Sequence, residues 1–258
     1  MRRSSFGLFV LAAAILGWAA PARAATIMFN TSDNPFDAGI ANQGWWSATA
    51  DNSDGNDNYF TGWNYGAELR SFFTFDLSGL DLTGQVITGA TLDLTPFEYA
   101  SADPSETLGL FDVSTDAATL NANDGASAVI FDDLGSGTSY GSFAVPAYAY
   151  SDSTTLTFAL ADSAISDIAA AQGGWFSIGA ALTSLTRLPD TSEAVFSGSG
   201  TIGIQRLTIE TAAAPPNGGS TSPIPEPGTL WLLGAGLLAG GRRYLSRPVR
   251  SGRPGRAR

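Results

Sequence analysis

Apolar and polar residues alternate one for one through the middle of the chain, while near its two ends apolar residues run on with few interruptions. Ala90, Leu92 and Leu94 alternate with Thr91, Asp93 and Thr95; Phe73, Phe75 and Leu77 alternate with Thr74 and Asp76. Leu156, Phe158 and Leu160 do the same with Thr155 and Thr157 among them. A period of two sends successive side chains to opposite faces, so these segments predict half-buried β-strands. Trp175 to Leu182 and Thr201 to Glu210 supply further strands. In the second of these, Ile202 and Ile204 share one parity and Leu207 and Ile209 the other, which predicts a bulge near Gln205. Turn clusters such as DLSGLDLTG and DLGSGTSYGS separate the strands. One segment has helical spacing instead. Between Asp162 and Gln172, Ile165, Ile168 and Ala169 form one face, Asp162 or Ser163 stands where a cap belongs, and Gly173 follows. Many strands with one short helix predict an all-β fold, an antiparallel β-sandwich of jelly-roll-like architecture.

The apolar ends have different logic. In residues 1–24, Arg2 and Arg3 precede an apolar run from Phe6 to Ala20, and Ala22-Arg23-Ala24 supplies a small-x-small site. This is the pattern of a secretory signal peptide, with signal peptidase cutting after Ala24. Residues 211–222, TAAAPPNGGSTS, form a linker by composition, which leaves residues 25–210 as the sandwich domain. Residues 228–241 carry no charge, and as a helix they would span about 21 Å, short of the roughly 30 Å hydrocarbon core. Residues 242–258 contain seven arginines and no acid, which places the tail in the cytoplasm and the body outside. Such a segment halts translocation and sits in the membrane only transiently.

Pro225-Glu226-Pro227, the short apolar helix and the arginine cluster together resemble the PEP-CTERM sorting signal of Gram-negative bacteria, covering residues 223–258. That resemblance implies an exported protein processed near the Pro-Glu-Pro by an exosortase, ending outside the cell or on its surface. It also implies a setting in which exopolysaccharide and biofilm matrix are made. In the body, RSFFTFDLSGL (Arg70 to Leu80) followed by VITGATLDL (Val86 to Leu94) resembles DNRLRE-type jelly-roll domains. These are similar in fold to carbohydrate-binding modules, and the resemblance carries no catalytic residues with it.

Composition narrows the chemistry. The chain has neither cysteine nor histidine, which removes disulfides, thiolate nucleophiles and the usual general base. Between Ala25 and Ser222 the cations are Arg70, Arg187 and Arg206, against twenty-three carboxylates. A body so acidic repels a phosphate backbone, so nucleic acid is excluded as a partner.

Three constellations remain as candidates. Asp51, Asp54 and Asp57 in the loop DNSDGNDN offer hard oxygen ligands to calcium, the one cofactor considered; the rival reading is a polar surface loop. Trp45, Trp46, Trp63 and Tyr65 crowd the same region, and an exposed ring beside amides and carboxylates is a platform for a sugar. On one strand Trp45 and Trp46 cannot both face the core. Glu68, Glu98, Glu106 and Glu193 include no two that the sequence pairs as glycosidase carboxylates. Arg70 is expected to pair with Asp76 or Asp93 and hold the fold. The reading is therefore a structural or binding protein, not an enzyme, associated with exopolysaccharide. The alternatives are a carbohydrate-binding module with a defined glycan ligand, or a polysaccharide-degrading enzyme.

Overall fold

The computed structural model describes residues 24–215, apart from residues 54, 150–153, 189 and 200–203. The signal peptide through residue 23, the linker beyond residue 215, Pro225, Glu226, Pro227 and the arginine tail lie outside the described residues, as do Asp54 and Ile202.

Two antiparallel sheets carry the chain. The smaller one orders its strands β1 (Ala25–Asn30), β12 (Gln205–Ala213), β5 (Gln85–Leu94) and β9 (Leu156–Ala159). The larger one runs β6 (Glu98–Ala100), β11 (Ser192–Ser199), β3 (Tyr59–Asn64), β4 (Ala67–Asp76), β10 (Trp175–Leu182), β7 (Ser105–Asp112) and β8 (Ser139–Pro146). A short β2 (Gln43–Trp46) shares one edge of β4 with β3: β3 pairs with Ala67 to Leu69, and β2 continues from Arg70 to Phe73. The sheets face each other in a sandwich. Phe73, Phe75, Leu108, Leu110 and Ile178 from the large sheet meet Leu92, Leu94, Phe158, Leu207 and Ile209 from the small one. The alternation read from β4, β5 and β9 is what builds this core.

The period-two reading misses that the large sheet is covered on both faces. Phe72 and Trp46, on its outer side, are as deeply buried as the core, against Leu120, Ile130 and Leu134. Those three come from two helices, α1 (Ala117–Ala122) and α2 (Ala128–Asp133), and the residue after α2, all within the β7–β8 connection. Where the chain after α2 crosses β10, a Cβ on Gly179 would lie 2.6 Å from the Leu134 carbonyl oxygen, so only glycine fits beneath it.

A third helix, α3 (Asp162–Ala170), follows β9 and buries Ala164 and Ile168 in the main core. It is the helix predicted from spacing, with a different start. Ala161 is the cap residue and makes no side-chain cap bond; Asp162 stands in the first turn, where its charge meets the positive end of the helix dipole. Ser163 is unavailable as a cap because its hydroxyl donates to the Ser139 carbonyl at 2.8 Å.

The expected bulge also moves. Gln205, Leu207 and Ile209 share the buried parity from the start of β12, and the ladder slips instead opposite Glu210 and Thr211, where Thr88 of β5 is the extra residue. The parity change seen in the sequence falls before β12 begins.

Candidate functional site

The three body arginines are all committed to carboxylates. Arg206 faces Asp93 across the β12–β5 ladder at 2.9 Å, with the Thr157 hydroxyl on the other Asp93 oxygen at 2.6 Å. Arg70 pairs with Glu68, not with Asp76 or Asp93, at 3.1 Å. The reason is geometric. Glu68 is two residues away on the same strand face, whereas Asp76 is about 20 Å along the strand at 3.3 Å per residue, and Asp93 belongs to the other sheet. Arg70 also lies over the Phe131 ring, 3.9 Å from its centroid, and donates to the Phe131 carbonyl at 3.0 Å. The second oxygen of Glu68 holds Arg187 at 2.7 Å, so one carboxylate serves two arginines.

The aromatic quartet separates. Trp46 is 4% exposed and its indole N–H donates to the Leu120 carbonyl at 3.0 Å, so it is a core ring of the outer layer. Trp45, on the opposite face of β2, is half-buried. Trp63 is half-buried too, its indole donating to the Leu188 carbonyl at 3.0 Å. Tyr65 is 72% exposed at the tip of the β3–β4 hairpin, where it and Gly66 both take positive φ (45° and 112°), a type I′ pattern. The sequence expectation that the two adjacent tryptophans part company holds, but the buried one faces away from the main core.

In the loop of residues 51–58 the asparagines are structural. Buried Asn52 donates to the Trp45 carbonyl at 3.0 Å and to Asn123 Oδ1 at 2.8 Å, and accepts from Asn56 at 2.7 Å. Asp57 accepts from the Ala41 amide at 3.0 Å, and Asp51 is exposed. Asn52 and Asn56 tie the loop to the end of α1 through Asn123, which caps the helix in the left-handed region.

The structure gathers other carboxylates that the sequence does not pair. Asp103, Glu106 and Glu193 bring oxygen atoms within 4.8 Å of one another, with both glutamates buried. Glu106 accepts from the hydroxyls of Ser101 (2.5 Å) and Ser184. Glu193 accepts from the Thr186 amide at 2.9 Å, the Thr186 hydroxyl at 2.6 Å and the Arg187 amide at 3.2 Å. Burial, followed by the charge of Glu106, raises the hydroxyl pKa of neighbouring Tyr99. Chemically this is a set of hard oxygen donors already supplied with neutral hydrogen bonds, knitting β7 to the β10–β11 connection.

A cleft of about 350 Å³ opens between α3 and the ends of β7, β8 and β10. Asp112, Asp167, Tyr140 and Trp175 line it. The Tyr140 hydroxyl donates to Asp167 Oδ2 at 2.8 Å, and the Thr138 amide donates to Asp112 Oδ1 at 2.6 Å. Burial pushes the Tyr140 hydroxyl pKa far up, and the adjacent Asp167 and Asp112 add to the effect, so it remains a donor at any physiological pH. Trp175 is half-buried and packs on Phe36 with ring centroids 4.5 Å apart. No feature of the sequence joins these residues; they come from four separate elements.

Comparison with known proteins speaks to the C-terminus. Residues 223–246 match the PEP-CTERM protein-sorting motif, with Pro225, Glu226 and Pro227 inside the match. The chain carries a PEP-CTERM signal. This signal marks an exported protein that crosses the inner membrane, is processed by exosortase and ends outside the cell or on its surface. No curated protein matches the chain. The all-β body is consistent with the jelly-roll-like resemblance: the Arg70–Asp76 part of RSFFTFDLSGL lies in β4 of the large sheet, and VITGATLDL lies in β5 of the small one. Among the described residues no helix is long and apolar enough to cross a membrane, and both terminal apolar segments lie outside them.

Proposed function

We propose that the body is a non-catalytic structural and binding protein of the extracellular matrix, which associates with exopolysaccharide once exosortase has processed its C-terminus. Signal peptidase cuts after Ala24 and leaves Ala25 as the N-terminus, and the PEP-CTERM segment is only a passing membrane guest. The observation that carries this reading is the sorting signal joined to an acidic β-sandwich. Lack of histidine and cysteine supports a non-catalytic role. So does the burial of Glu106 and Glu193, whose hydrogen bonds come from hydroxyls and amides instead of a substrate.

The test is retention of the processed protein, recovered from the cell surface, on the host's own purified exopolysaccharide, with dextran as control. Saturable retention on the first alone is the expected result. Failure to be retained overturns the matrix role; shortening of the polysaccharide during incubation overturns the non-catalytic one.

A further inference from the structure

We infer that the cleft between α3 and the ends of β7, β8 and β10 is a binding site for a cationic amino sugar, a glycan unit with a free ammonium group. The proposal rests on the matrix reading above and names the class of sugar it would involve.

Three observations converge on that chemistry. First, the cleft is the right kind of space: about 350 Å³, at the small end of ligand pockets, lined by the aromatic side chains of Tyr140, Trp175 and Phe176 and a few polar groups. Trp175 supplies an apolar surface for the C–H face of a sugar ring. Second, its polar groups are acceptors with capacity to spare. Asp112 uses Oδ1 for the Thr138 amide and Asp167 uses Oδ2 for the Tyr140 hydroxyl; among the described residues the other oxygen of each accepts no hydrogen bond. The Tyr140 bond also fixes how Asp167 is turned. Third, no cation among the described residues neutralises the charge there. Arg70 and Arg187 are held by Glu68, and Arg206 by Asp93.

These features select among glycans. An acidic sugar would bring a carboxylate against Asp112 and Asp167 with no cation between them, and is rejected. A neutral sugar gains the ring and hydroxyl hydrogen bonds only. An ammonium group adds charge-assisted hydrogen bonds to the two carboxylates and attraction to the face of an aromatic ring, each stronger than its neutral counterpart. Removing the charge by N-acetylation deletes those additions and leaves the ring contact.

The experiment is calorimetric titration of the processed protein with a glucosamine tetramer, an N-acetylglucosamine tetramer and cellotetraose. The free-amine tetramer is expected to bind at least about tenfold more tightly than the other two, and to weaken as sodium chloride is raised because the attraction is screened. Asp167→Asn and Trp175→Ala should each weaken it about tenfold or more. Trp175→Phe and Tyr140→Phe serve where the alanine variant melts early; the first should keep part of the binding and the second should lose affinity without losing the fold. Equal affinity for the three oligosaccharides overturns the proposal, as do cleft variants that fold and bind like the parent. Binding of polylysine with none of the glucosamine tetramer also overturns it, in favour of a protein ligand. Retention on host exopolysaccharide separates the two readings. Parent-like retention by a variant that has lost the tetramer removes the cleft from the matrix role and leaves that role standing. Tetramer binding through the cleft without any retention removes the matrix role and leaves the cleft.

Discussion

Replacing Trp46 with alanine tests whether the outer face of the large sheet is truly a second core. The indole packs with Phe72, Leu120, Ile130 and Leu134, and its N–H satisfies the Leu120 carbonyl in the last turn of α1, one of the carbonyls a helix leaves without an internal partner. Removing a buried Trp side chain costs about 3–5 kcal/mol through lost transfer energy and the cavity left behind. For a domain of this size each kcal/mol shifts the midpoint by about 2–4 °C, so Trp46→Ala should melt about 6–20 °C below the parent. Trp46→Phe keeps an aromatic ring and drops the donor. It should cost about 1–2 kcal/mol, close to the value of one buried hydrogen bond, and about 2–8 °C. Thermal melts of the processed protein followed by circular dichroism give both numbers. A Trp46→Ala protein that melts within 2 °C of the parent but is no longer retained on exopolysaccharide would refute the reasoning, because the ring would then be a binding surface.

Four further outcomes follow from the geometry. Glu68→Gln removes the one carboxylate shared by Arg70 and Arg187 and should destabilise the body by about 2–3 kcal/mol in chemical denaturation, most of it from the poorly exposed Arg70. Tyr65→Asn relieves a left-handed residue at the hairpin tip and should stabilise by about 1 kcal/mol in the same assay. Burial works against ionised Asp133, yet hydrogen bonds from Thr115 and Ser114 outweigh it and hold its pKa below the usual carboxylate range. Its contribution is thus present above the unfolded pKa and lost as pH falls through the folded one; Asp133→Asn should flatten the parent's loss of stability below about pH 4. Mass spectrometry of the surface form should find a chain without the arginine tail, and Glu226→Ala should leave export intact but keep the tail attached.

The strands were readable because one pattern, alternation, has one physical cause, a buried face. That same logic hides the outer layer. Phe72 sits at a polar parity of β4, and only the helices of the β7–β8 connection explain its burial. Those helices are six residues each, too short for a helical period to register, although Asp116 and Ser127 carry the cap signals, each accepting from an amide three residues on. The sorting signal was legible because it is written in contiguous residues. The cleft was not, since Asp112, Tyr140, Asp167 and Trp175 meet only after two sheets and a helix are in place. Likewise Glu106 and Glu193 lie far apart in the chain and meet where β7 borders the β10–β11 connection.

In the small sheet, β12 sits between β1 and β5, and β9 reaches the sheet only through β5. Yet β12 is the last strand of the body, directly ahead of the linker and the sorting signal. A chain threaded through the membrane head first delivers it at the end. Until then β1 has no neighbour, β5 has one edge bare, and the space for Leu207 and Ile209 in the core is open. Closing the sandwich is therefore timed by the completion of export, and a chain cut short before Gln205 loses its fold and its sorting signal together. A single strand position ensures that every molecule bearing the sorting signal also carries the strand that closes its sandwich.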